Sequence, residues 1–148
     1  MTRSLPTGEA AHRIDEALPE AVVRYNETDV WVTPDSLLET ARFLKNTPDL
    51  DFAYLRAVTA VDYVEYFEIV YHLLSLSHNQ RMILKTECYG RNEPTVPSVV
   101  SVWQGADIQE REVWDLMGIR FRGHPNMKRI LLWEGFPGHP LRKDYLGQ

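Results

Sequence analysis

One cysteine, Cys88, in 148 residues excludes an internal disulfide and is too few for a thiolate zinc site or an iron–sulfur cluster. No apolar run approaches the roughly 18–20 residues that span a bilayer. The N-terminal MTRSLPTGEAAHRIDEAL lacks the apolar core of a secretory signal. Glycine-rich phosphate loops, GxSxG and GxGxxG are missing, as are internal repeats and low-complexity segments. These absences remove the usual self-announcing chemistries. What remains is 44% hydrophobic and 25% charged, ordinary for one soluble domain with a real core.

The net charge of −5 is unevenly spread. From Ile119 to Gln148, six Lys/Arg face two acids, a net +4 that leaves −9 for the preceding residues. An acidic body with a basic tail predicts that the tail meets an acidic surface, its own or a partner's. The body would repel phosphates, so nucleic acid is not an expected partner.

Thr7 is placed to cap a helix through Leu18, with Ala11, Ile14 and Leu18 on one face and Pro19 as its stop. Asn26-Glu27-Thr28 between two β-prone runs predicts a hairpin over residues 21–32. Thr33-Pro34 reads as an N-cap, and Leu37, Leu38, Ala41 and Leu44 give the next helix an apolar stripe. Residues 53–63, 66–77 and 81–88 read as strands. In the second, Phe67, Ile69, Tyr71 and Leu73 face one way and Glu68, Val70 and His72 the other. The three strands make an antiparallel meander that the hairpin can extend. Asn92 to Pro97 reads as a loop. Asp107 with Glu110 resembles a capping box for a helix that Gly118 ends. The expected fold is α+β: an antiparallel sheet with helices mainly on one face over residues 1–118, then an extended, irregular, basic arm over 119–148. That arm carries Phe121, Ile130, Leu131, Leu132, Trp133, Phe136, Leu141 and Tyr145, and it must bury them on its own body or on another chain.

The charged helix 110-EREVWDLM-117 invites a catalytic reading and does not sustain one. Glu110 and Glu112 diverge by about 200° on a helix and cannot flank one substrate. Glu112 and Asp115 share a side, but no neighbouring histidine or serine gives them a partner. Ala106, Glu110, Val113, Trp114 and Met117 share one face, so Glu110 sits among apolar groups and needs a partner, expected to be an arginine or backbone amides of the arm. Arg111 and Asp115 are spaced as an ordinary surface pair. Met127 to Trp133 is the one part of the arm that could hold a short regular element. His124 and His139 lie in the similar turns Gly123-His124-Pro125 and Gly138-His139-Pro140, a spacing that matches no metal motif. Cys88 has no activating neighbour. A free-standing acid/base enzyme and a histidine metal module are thus the weaker readings.

The run of Glu110-Arg111-Glu112, Asp115-Leu116-Met117, His124, Lys128 and Ile130-Leu131, followed by 137-PGHPLRKDY-145, resembles the 30-kDa-type subunit of the proton-pumping NADH–quinone oxidoreductase, respiratory complex I. VTAVDY (58–63), YHLLSLSHNQR (71–81) and VPSVVSVW (96–103) are similar to it too. The resemblance implies a peripheral-arm subunit on the cytoplasmic side of the cell membrane, touching the membrane only through the complex. It implies no catalytic, cofactor or metal residue in this chain: NADH, FMN, iron–sulfur clusters and quinone belong to partner subunits. The implied partners are the quinone-module large subunit, of the 49-kDa type, and other peripheral-arm subunits. Relatives in membrane-bound hydrogenases and chloroplast-type complexes leave the electron donor unspecified. Carried onto this sequence, the motif residues are Glu110, Arg111, Glu112, Asp115, Gly118, His124, Arg129, Gly138, His139, Pro140, Arg142, Lys143, Asp144 and Tyr145. Their expected roles are internal ion pairs and the partner interface. Family chains often continue beyond RKDY, so contacts of such extensions are absent here or supplied elsewhere. The acidic pair frequent after the RIL motif is replaced by Trp133-Glu134-Gly135-Phe136.

Overall fold

The computed structural model describes residues 2–147. In chain order it contains β1 (Arg3–Ser4), α1 (Thr7–Ala17), β2 (Val22–Tyr25), β3 (Asp29–Val32), a 3-10 turn (Pro34–Ser36), α2 (Leu37–Asn46), β4 (Tyr54–Asp62), β5 (Phe67–Ser75), β6 (Gln80–Cys88), β7 (Thr95–Pro97), α3 (Ala106–Met117) and β8 (Arg120–Arg122). The main sheet runs β2-β3-β6-β5-β4, with β1 also on β6. The α+β class stands, and the sheet is mostly antiparallel. The hairpin nevertheless joins the meander through a parallel β3–β6 pairing, and β1 pairs β6 in parallel as well. The cause is directional: β4, β5 and β6 alternate, and the hairpin reaches the free edge of β6 through its second strand.

Several local expectations are corrected. Thr7 is the first helical residue rather than the cap, since Pro6 precedes the helix, and its hydroxyl donates to the Asn26 carbonyl. At Thr33 the chain first makes the 3-10 turn, and the Thr33 hydroxyl bonds Ser36 instead of capping. Asp107 does not cap α3, because Gly105 is the N-cap and no side chain closes it. The segment 92–97 is not all loop. β7 pairs in parallel with β8, a small second sheet that brackets α3. Met127–Trp133 forms no helix or strand.

Apolar residues of all three helices and the inward face of the sheet join one core. Ile14 of α1, Leu37 and Leu44 of α2, and Phe67, Ile69, Tyr71 and Leu73 of β5 are almost fully enclosed. Each such aliphatic side chain contributes about 1.5–3 kcal/mol. The opposite face of β5 is less open than its alternation predicts, since Glu68 and Val70 are buried too. Glu68 takes the Trp31 indole N–H at 3.0 Å. Lys85 lies 2.8 Å from Asp29 and 3.2 Å from Glu68, so one ammonium serves two carboxylates beneath Trp31. No helix among the described residues is long and apolar enough to cross a membrane.

Candidate docking site built on the third helix and the arm

Helix α3 uses two buried acids in opposite ways. Glu110 is 0% exposed. Its carboxylate accepts the Ser98 hydroxyl at 2.6 Å and the Val99 amide at 2.9 Å, both from the corner after β7. The partner is therefore neither an arginine nor the arm. No cation among the described residues answers the charge, so burial pushes the Glu110 carboxyl up to about 7, against the pull of the two hydrogen bonds, and the nearby Asp107 charge adds to the rise. A carboxyl poised between neutral and charged needs no arginine.

Asp115 is the acid that meets the arm. It is 0% exposed, so the expected surface pair with Arg111 does not form. Its Oδ1 accepts the Arg129 guanidinium at 2.8 Å. Its Oδ2 accepts the amides of Ile130, Leu131 and Leu132 at 3.1, 2.7 and 2.9 Å. Burial opposes ionisation here as well. Arg129 and the three amides outweigh it and hold the carboxyl below its usual range. Arg129 also donates to the Asp115, Phe136 and Gly138 carbonyls, at 2.9, 2.8 and 2.8 Å. Arg111 turns to the arm instead, donating to the carbonyls of Lys128 and Arg129. The Glu112 side chain makes no hydrogen bond or ion pair among the described residues.

The two histidines fasten turns to α3. His124 Nδ1 accepts the Asn126 amide, which leaves the proton on Nε2 to donate to the Asp107 carbonyl at 3.1 Å. His139 Nδ1 donates to the Asp115 carbonyl at 2.9 Å, and its ring lies 4.7 Å from Trp114. Burial lowers the His139 pKa, and Arg129 and Arg142 lower it further. Gly118 ends α3 at φ +77°, as its place predicts, and leaves room for this ring. A Cβ there would stand 2.8 Å from His139 Cδ2. Gly118→Ala is therefore expected to lose about 1–3 kcal/mol through the left-handed backbone and the displaced imidazole, read as a lower thermal midpoint.

The PGHPLRKDY segment closes onto β4. Lys143 donates its amide to Asp62 Oδ2 at 2.8 Å. Arg91 grips Asp62 at 2.6 and 2.9 Å and reaches Asp144 at 3.0 Å. Arg142 pairs with Asp144 at 2.8 Å and donates to the Arg91 carbonyl. Both guanidiniums lie over the Phe67 ring, at 4.6 and 5.1 Å. Arg91, against the cost of burial, holds Asp62 down to about 2, and Arg142 with Arg91 holds Asp144 well below the carboxylate range. Gly138, at φ +87°, lets the Tyr145 ring pack where a Cβ would stand 2.8 Å from it. Pro140 is half-buried, and Leu141 after it donates to the Leu116 carbonyl.

Asp62 and Arg91 are central here, and sequence reasoning misses both. Asp62 carries a signal, for it shares the inward parity of Val58 and Ala60, and a charge at such a position requires a partner. Arg91 sits in an irregular connection and carries none.

Ile119 and Phe121 at the start of the arm are buried in the core; beyond them the arm binds the body largely through polar groups and leaves much of its apolar surface outside. Leu131, Trp133, Leu141 and Leu146 are 58, 63, 60 and 99% exposed. Arg122, Lys128 and Lys143 project side-chain charges that no acid meets among the described residues.

Known proteins share this sequence and this fold. The family described as "Respiratory-chain NADH dehydrogenase, 30 Kd subunit" matches residues 30–148. The chain is 43% identical over 139 residues to the C subunit of the NADH-quinone oxidoreductase of Roseiflexus castenholzii, covering 89% of this chain and 79% of that one. It is 42% identical over 135 residues to the mitochondrial NADH dehydrogenase [ubiquinone] iron-sulfur protein 3 of Candida albicans, covering 86% of this chain and 48% of that one. Among solved structures it is similar to a chain in the membrane-bound sulfane sulfur reductase, an archaeal respiratory membrane complex. The TM-score there is 0.77 at 26% identity, covering 94% of this chain and 85% of that one.

Proposed function

The chain belongs to the respiratory-chain NADH dehydrogenase 30 kDa subunit family, and from that premise we propose that it is a non-catalytic peripheral-arm subunit of an NADH–quinone oxidoreductase. In this role it supports electron transfer from NADH to quinone, coupled to proton translocation, by docking the large subunit of the quinone module on the cytoplasmic side of the membrane. The observation that carries this reading is the arm, latched from within by Asp115 and Asp62 and carrying exposed Leu131, Trp133 and Leu141 together with cations that no acid meets among the described residues. Solvated apolar groups on a rigid backbone suit an interface better than a linker.

The donor set of this chain does not fit an iron–sulfur cluster. Cys88 is buried and alone, whereas an iron–sulfur cluster needs several thiolates. No three His, Cys, Asp or Glu side chains converge among the described residues. Glu110 and Asp115 are sealed from solvent, so neither carboxylate meets a substrate in this arrangement. The cofactors of the complex would then sit in neighbouring subunits.

The likeness to the sulfane sulfur reductase chain favours one second reading, the same docking role in a related membrane complex with a different donor or acceptor. Purifying the membrane complex under mild conditions and assaying NADH-dependent quinone reduction separates the two. The first reading expects this chain to co-purify and the activity to fall in its absence. A chain found only as free monomer, with quinone reduction unaffected by its deletion, defeats both. Removing the residues after Phe136 is expected to leave the isolated body folded but to lower incorporation into the complex. Unfolding of the truncated chain would show that the arm belongs to the core.

A further inference from the structure

The turn between β4 and β5 is tight and strained: the Glu65 amide donates to the Tyr63 carbonyl at 2.8 Å and closes the chain around Val64, a position that would suit glycine better than valine. Val64 stands at φ +73°, a left-handed backbone that a β-branched residue rarely adopts. Its side chain is 57% exposed, so the core gains nothing from it. The turn is held firmly all the same. Asp62 Oδ1 accepts the Val64 amide at 2.8 Å, and Tyr63 donates its amide to the Tyr66 carbonyl at 2.9 Å. An aromatic row leads away from the tip. Tyr63, Tyr66 and Tyr89 stand with successive ring centroids 5.3 Å apart, and Tyr89 is 66% exposed. The carboxylate that fixes the tip also takes the Lys143 amide at 2.8 Å, so tip and arm meet on one side chain. The Lys143 ammonium, which no acid meets among the described residues, leaves the chain at that junction.

We propose that this tip, Val64 with Tyr63 and Tyr89 beside Lys143, is a second docking surface that continues the surface of the arm. It fits a neighbouring protein chain offering an apolar recess for Val64 and the tyrosine row, edged by a carboxylate for Lys143. The inference rests on the reading of this chain as a subunit of a membrane complex. A rigid, strained and solvated apolar turn is the kind of feature that association repays and folding does not.

The test pairs stability with assembly. Asparagine tolerates a left-handed backbone better than valine. Val64→Asn in the full chain is therefore expected to unfold at the same or a higher midpoint than the native chain. The purified membrane complex carrying it is expected to retain several-fold less of this subunit after a salt and detergent wash. Lys143→Gln is expected to weaken retention at low salt and to flatten its salt dependence. Native retention of Val64→Asn, or a lowered midpoint of the isolated variant, would overturn the inference and leave the subunit reading intact. Absence of the native chain from the complex would overturn both.

Discussion

Asp115→Asn is expected to lower the stability of the isolated chain by about 3–5 kcal/mol, the range for breaking a buried ion pair. Four donors converge on this carboxylate: Arg129 and the amides of Ile130, Leu131 and Leu132. An asparagine has one acceptor oxygen, and its NH2 group would point at donors. At least one donor would lose its partner, and the Arg129 guanidinium would keep its charge in a largely enclosed site without a counter-ion. Denaturant unfolding gives the magnitude. Amide exchange locates it, with Ile130, Leu131 and Leu132 losing protection before the strands do. If those amides stay protected and the loss is below about 0.5 kcal/mol, Asp115 is not the latch. The folded-state carboxyl is held below its ordinary range, so the stability it confers is present above its unfolded pKa and is lost as pH falls through the folded value.

Glu110 has the opposite sign. Its carboxyl is raised from 4.5 to about 7. The folded chain therefore binds a proton that the unfolded chain releases, and the stabilising linkage is full below about 4.5 and lost as pH rises through about 7. A gap of that size, at about 1.4 kcal/mol for each tenfold in proton affinity, is about 3 kcal/mol. Glu110→Gln keeps the shape, lets one oxygen accept the Val99 amide and places an NH2 group toward the Ser98 hydroxyl. The glutamine variant is expected to equal the native chain near pH 5 and to exceed it by a few kcal/mol at pH 8–9. Glu110→Ala behaves differently, because it strands the Ser98 hydroxyl and the Val99 amide and opens a cavity, a loss of about 3–5 kcal/mol at low pH that shrinks as the native carboxyl ionises. Parallel pH profiles for the native and glutamine chains would mean that Glu110 titrates as an ordinary surface acid.

The parts of this architecture legible in the sequence are those with a period. Val58 to Asp62 and Met82 to Cys88 alternate because one sheet face is more buried than the other, and Leu37, Ala41 and Leu44 recur at helical spacing for the same reason. Gly118 is legible because a left-handed cap has few other occupants. Strands β7 and β8 are three residues each, too short for alternation to declare itself, and Pro97 argues against one of them. For α3, the helical wheel places Glu110 correctly among apolar neighbours but cannot tell a cation from a hydroxyl and an amide. It misplaces Asp115, because the cover on that side is an irregular segment whose path leaves no periodic trace. Charges inside this fold are satisfied largely by backbone amides and carbonyls, and amino-acid identity reports poorly on those groups.

The separation in sequence between these carboxylates and their partners orders events during synthesis. Asp62 lies 29 positions before Arg91 and 81 before Lys143. Asp115 precedes Arg129 by 14. While the chain grows from its N-terminus, Arg91 follows the last strand of the main sheet closely, so Asp62 gains its cation as that sheet closes, whereas Asp115 waits for Arg129. What the RKDY segment adds last is the Lys143 amide on Asp62 and the Arg142–Asp144 pair beside Arg91. A chain broken off before Arg129 would leave the buried Asp115 without its cation, so the latch of the arm is a late event of synthesis.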